Sequence, residues 1–244
     1  MFTAAAMCAV LATAASLAVT VRTGANLTVL AAVGETHGPP LWRDGRLPDW
    51  TAVQRGQDGY DGQYYLVMAL EPLGADPAIP AARRQRLLFP LLGWLLSAGD
   101  PELAVYALAA VGVAAAGIGG LFAGLWLRER GLAAWWATLA GANAGVLLGA
   151  QYLCPDGLMI CLLMVSVWLI GRDRWVAATL AMAGATLAKE AALVPWLGAV
   201  LGLAWHREDR RARLLVLAPL PWIVWVCLLS FRMGEFAPAW NVQD

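Results

Sequence analysis

The sequence predicts an all-α membrane protein, a polytopic transmembrane helical bundle of about seven spanning helices whose long extracytoplasmic first loop contains interfacial helices. Three observations carry this. Of 244 residues, 60% are hydrophobic and only 14% charged, against roughly 25% charged in ordinary soluble domains. The apolar residues gather into runs near the length a bilayer demands, roughly 17–25 residues per helix. Arginines between those runs fall on alternate connections, the pattern that sets orientation in a membrane. Seventeen basic residues balance seventeen acidic ones, so nucleic-acid binding has no electrostatic footprint.

The elements follow in order. Phe2 to Val21 lacks a basic leading segment and reads as a retained helix rather than a cleaved signal peptide. Gly34 to Asp100 is polar and rich in Gly and Pro, and six apolar segments follow at roughly 103–127, 132–151, 157–171, 175–188, 191–205 and 214–231. The chain therefore reads as one module over 1–244. Several of these segments are short, which implies tilt or charged ends drawn below the headgroups. Arg128 and Arg130, Arg172 and Arg174, and Arg207 to Arg213 mark the cytoplasmic connections. The long loop, the Cys154-Pro155-Asp156 turn, the Lys189-Glu190 turn and the tail after Arg232 then lie outside.

Within the long loop, Asp61 is placed to cap a short helix over Gln63 to Leu70, ended by Pro72. Ala81 to Leu96 begins with arginines and has an apolar part too short to span, so it reads as one interfacial or re-entrant helix. Two histidines, and four cysteines without CxxC spacing, give no zinc site, disulfide framework or His-dependent hydrolase. The cysteines read as packing residues, and chemistry is left to carboxylates, Arg and Lys.

Those residues gather at three places on the outer side. Asp58 and Asp61 stand three apart among glycines; a partly desolvated carboxylate there suits a general base, and an ordinary Asx turn is the structural alternative. The pair also suits a divalent ion such as Mg²⁺ or Mn²⁺. Arg83 and Arg86, one helical turn apart, can grip a phosphate at headgroup depth, or simply snorkel. Asp156, Lys189 and Glu190 sit at helix ends near the interface, where charge is costly and pairs with other charge or serves function. Between the loops, only Asn143 and Gln151 are strongly polar, so no midplane constellation of the kind transporters use is present.

One helix, a long outer loop with an early acidic motif, and six closely spaced helices resemble the GT-C glycosyltransferases. So do Gly59-Tyr60-Asp61-Gly62-Gln63-Tyr64-Tyr65, Arg84-Gln85-Arg86-Leu87-Leu88-Phe89-Pro90, Pro155-Asp156-Gly157-Leu158 and Ala188-Lys189-Glu190-Ala191. These strings are similar to those of bacterial polyprenyl-phosphate-sugar-dependent, mannosyltransferase-like members. The resemblance implies an enzyme of the bacterial plasma membrane that moves a sugar from a polyprenyl-phosphate donor to an acceptor hydroxyl on a glycan, lipid or protein. Transfer would occur on the extracytoplasmic face, usually with inversion. It further implies Asp61 or Asp58 as base and Arg83, Arg86 and Lys189 on the donor phosphate. Tyr60, Gln63, Tyr64, Asp156 and Glu190 would line the substrate pocket. Members of that family are commonly longer, so the chain is expected to be a fragment or a minimal form. The alternatives are a non-catalytic subunit that binds a lipid-linked saccharide and, below it, a small transporter or flippase.

Overall fold

The computed structural model describes residues 2–24, 26–36, 50–74, 79–206 and 209–234. It is mostly helical. Helix α1 (Phe2–Arg22) buries Ala4, Cys8, Ala12, Ser16 and Thr20, every fourth residue. So small a stripe lets neighbouring backbones approach closely, which is how helices associate where lipid removes the hydrophobic gradient.

After α1 the chain makes a two-residue parallel pairing, β1 (Val33–Gly34) with β2 (Val53–Gln54), in register Val33 to Val53. The expected short helix exists as α2 (Gly62–Met68), but Asp61 beside it makes no side-chain cap bond; its carboxylate is used elsewhere. The single helix expected over Ala81 to Leu96 is two, α3 (Ala81–Arg84) and α4 (Leu88–Ser97). Pro90 explains the interruption. In one continuous helix it would lack the N–H for the preceding turn and clash with the Arg86 carbonyl; restarting at Leu88 places it in a first turn, where no such bond is required. Arg86 is thereby left at the break.

Helix α5 (Pro101–Glu129) opens on Asp100, whose carboxylate accepts from the Glu102 and Leu103 N–H groups at 2.8 and 3.0 Å. Tyr65, Leu66, Phe89, Leu108 and Leu153 join the long loop to α5 in the largest buried cluster. The span expected over 132–151 is broken into a 3₁₀ turn at Ala134–Ala137, α6 (Thr138–Gly141) and α7 (Ala144–Gln151). Asn143 causes the break: its backbone is extended and its side chain caps the new helix by accepting from Gly145 N–H at 2.8 Å. Just before it, Gly141 lies against α1. A Cβ there would strike the Cys8 sulfur and stand 2.6 Å from Cys8 Cβ and 2.8 Å from its Cα. Gly141→Val is therefore expected to destabilise the fold by about 3 kcal/mol, the upper end for overpacking. An unshifted melting curve in detergent would mean that α1 and α6 part without cost.

The rest of the chain is α8 (Asp156–Ile170), α9 (Trp175–Ala188), a 3₁₀ turn at Glu190–Ala192, α10 (Leu193–Trp205), α11 (Asp209–Val216) and α12 (Leu220–Met233). Among the described residues, three stretches are long and apolar enough to cross a bilayer: α1, α5 and Arg213–Met233. Helices α4, α8 and α9 and the stretch Glu190–Trp205 are apolar but shorter. Cys8, Cys154 and Cys161 are buried as packing residues, whereas Cys227 is exposed on the outward side of α12.

Candidate active site

The break before Pro90, the cap of α2 and the start of α8 converge with the end of α9 on one charge cluster. Arg86 is its centre, with a side chain only 8% exposed. Its Nε donates to Glu190 Oε2 at 2.8 Å and its Nη2 to Glu190 Oε1 at 2.5 Å, a two-pronged pair. Its Nη1 donates to the Tyr65 hydroxyl at 2.8 Å and reaches Asp61 Oδ2 at 3.3 Å. The other Asp61 oxygen meets Arg83 Nε at 2.8 Å, and Arg83 is 32% exposed. Lys189, the only lysine of the chain, donates to Asp156 Oδ1 at 2.6 Å.

Local backbone geometry explains why these side chains meet. Lys189 is extended (φ −159, ψ 134) between α9 and the 3₁₀ turn, so neighbouring side chains diverge. Lys189 turns to the head of α8 and Glu190 to Arg86. On the loop side, Gly62 lies against the Tyr152 carbonyl, in contact no Cβ would permit. That approach seats the start of α2 beside the Cys154-Pro155-Asp156 turn. Tyr60 then packs on Tyr152, ring centroids 4.7 Å apart, with Tyr60 exposed next to Asp61.

Burial would raise the Glu190 carboxyl, but the hydrogen bonds and charge of Arg86 outweigh it and hold the group below its ordinary value of 4.5. Burial likewise opposes the charge on Arg86, and Glu190 and Tyr65 more than restore it. Burial, then the nearby Asp61 charge, pushes the Tyr64 hydroxyl up. A depressed carboxyl contributes stability that is complete above its unfolded value and lost as pH falls through its folded one. The melting difference between wild type and Glu190→Gln should thus be constant above about pH 5 and shrink below about pH 4. A difference that shrinks toward neutral pH instead would remove Glu190 from the pair.

Asp61, Arg83, Arg86, Asp156, Lys189 and Glu190 are thus brought together, three acids against three bases. Asp58 stands apart, exposed, with its carbonyl accepting from Gln63 Nε2 at 3.2 Å. Gln63 is 1% exposed, and its Oε1 accepts from Gly34 N–H at 3.2 Å. It ties the loop to β1 and is buried, where the resemblance implied a residue lining the pocket. Tyr64 is half-buried beside Asp61 and Arg83. Arg84, between the two site arginines, points into the core, where its Nε donates to the Ile79 carbonyl at 2.8 Å.

Tyr65 and Tyr152 are the site residues that sequence reasoning missed. Tyr65 lies four residues after Asp61, a spacing that puts both on one helical face. Where the Asp58 and Asp61 spacing also suits a divalent ion, guanidinium groups engage both Asp61 oxygens, and no cluster of three or more His, Cys, Asp or Glu able to hold a metal lies among the described residues.

No protein-family model matches this chain, and neither a curated protein nor a solved structure is significantly similar to it.

Proposed function

We propose that the chain is a membrane glycosyltransferase of the GT-C type, moving a sugar from a polyprenyl-phosphate donor to an acceptor hydroxyl at the Asp61 cluster. The observation that carries this is the convergence of one part-exposed carboxylate, two guanidinium groups and one ammonium from segments far apart in sequence. In this reading α1, α5, the broken 134–151 stretch, α8, α9, α10 and α11 with α12 form seven passes of a bacterial plasma membrane, with the cluster on the extracytoplasmic side.

The chemistry follows from which cations have donors to spare. Arg86 has committed its guanidinium to Glu190, Tyr65 and Asp61 and serves as the fixed frame. Arg83 binds Asp61 through Nε alone and is the more open of the two. An incoming donor phosphate takes the Arg83 guanidinium in two-pronged fashion and frees Asp61 Oδ1. The acceptor hydroxyl then attacks the anomeric carbon and Asp61 accepts its proton. The bond from that carbon to phosphate oxygen breaks, and its electron pair leaves on the polyprenyl phosphate, steadied by Arg83 and Lys189. The exposed Tyr60 ring beside Asp61 gives a sugar ring an apolar face to lie on.

Transfer of labelled sugar from a panel of polyprenyl-phosphate sugars by the purified chain in membranes tests this reading. A product whose anomeric configuration is inverted supports it, retention overturns the single displacement with Asp61 as base, and no product with any donor overturns the enzyme assignment. The full pairing of three acids with three bases favours one second reading, a non-catalytic subunit that binds a lipid-linked saccharide. Donor binding without product would select it.

A further inference from the structure

At the other end of the α8–α9 hairpin lies a cavity of about 470 Å³, lined by Trp168, Leu169, Arg172, Arg174 and Ala177. It is remote from the Asp61 cluster: α8 has 15 residues, so about 22 Å of helix separates its two ends. The turn beneath the cavity is tightly made. Asp173 adopts a left-handed backbone at φ 56, and the Arg172 and Arg174 N–H groups both donate to the Leu169 carbonyl, at 3.1 and 3.0 Å.

The two guanidinium groups differ in what holds them. Arg172 pairs with Glu129, which also accepts from Trp168 Nε1 at 3.1 Å, and its guanidinium lies over the Trp168 ring, 4.9 Å from the centroid. Arg174 has no carboxylate partner among the described residues. The only other acid of the turn, Asp173, is taken by Arg211 at 2.9 Å. The cavity thus combines one anchored guanidinium and one without a carboxylate partner among the described residues with an apolar wall of Leu169 and Ala177 and the face of an indole. Bare phosphate would use the guanidinium groups and leave the apolar wall idle. A phosphate carried on a lipid uses both, with Trp168 at the depth such rings favour.

We propose that this cavity binds the phosphate group of an anionic phospholipid, with Arg174 as its principal contact. A built site, unlike the arginine field that orients the protein, requires that binding depend on the cavity-lining Arg174 more than on a cation outside the cavity. Arg130, stacked over Trp126 at 4.1 Å and absent from the cavity lining, provides the comparison.

Native mass spectrometry of the full chain in neutral detergent, titrated with dioctanoyl phosphatidylglycerol, dioctanoyl phosphatidylcholine or glycerol 3-phosphate, tests it. One phosphatidylglycerol should be retained per chain at concentrations where phosphatidylcholine is not. Arg174→Gln should weaken that binding about tenfold, as expected for loss of a charge-assisted phosphate contact, while Arg130→Gln leaves it within about twofold. Arg174→Lys, with the charge kept and the fork lost, should fall between, and equal melting temperatures certify the fold of each variant. Equal retention of the two lipids overturns the proposal. So does equal loss in the Arg130 and Arg174 variants, which would mean diffuse attraction only. Glycerol 3-phosphate binding as tightly as the lipid would assign the phosphate to a soluble source and overturn the lipid.

Discussion

Asp61→Asn is expected to lower sugar transfer by a factor of roughly 10² to 10⁴, the usual contribution of a positioned general base. The substitution keeps the shape of the side chain and replaces the basic carboxylate that would take the acceptor proton with a neutral, non-basic amide. The frame survives it, because Arg86 retains both Glu190 oxygens and the Tyr65 hydroxyl. Arg83 loses Asp61, its charged partner among the described residues. Donor phosphate should therefore bind the variant at least as tightly as wild type while turnover collapses, a split that loss of folding cannot mimic. The assay pairs labelled-sugar transfer with donor binding on the same preparation. Near-normal turnover would take the base role from Asp61 and give it to Asp58, which is exposed and outside the cluster.

Composition and apolar run length made the helical membrane character legible, since both are properties of the local sequence. Interruptions were harder to see. Asn143 is one polar residue in an apolar run, and its effect depends on capping geometry and on Gly141 meeting Cys8 from a helix more than 130 residues away. Pro90 was visible, but its consequence for Arg86 emerges only once the helix is restarted at Leu88.

The candidate charges could be named individually because they are rare in so apolar a chain, and their partners could not. Arg86 meets Asp61 across 25 positions and Glu190 across 104, and no local spacing records such pairings. The resemblance placed Gln63 in the pocket, whereas its buried amide ties the loop to Gly34. Tyr65 was concealed by its aromatic character, which suits a buried packing residue equally well, and it fills both roles: its ring meets Phe89 edge-on while its hydroxyl accepts from Arg86.

Arg86→Leu carries the largest expected loss of stability, on the order of 3–5 kcal/mol, because it strands charge that burial has already desolvated. Glu190 would keep its carboxylate in a half-buried site without its two-pronged partner, and Tyr65, fully buried, would lose its hydrogen bond. Asp61 would retain only the more solvent-exposed Arg83. The second substitution separates this account from simple loss of packing. Glu190→Leu alone strands Arg86 in turn, but with Arg86→Leu and Glu190→Leu combined neither buried charge remains, so the double variant should be less destabilised than the sum of the two by at least about 1 kcal/mol. Arg86→Lys should recover only part of the loss, since an ammonium offers a point charge where the guanidinium spans Glu190, Tyr65 and Asp61 at once. Melting curves of the four variants in one detergent decide the matter. Strict additivity would mean that Arg86 and Glu190 act independently, and the frame on which the position of Asp61 depends would have to be sought elsewhere.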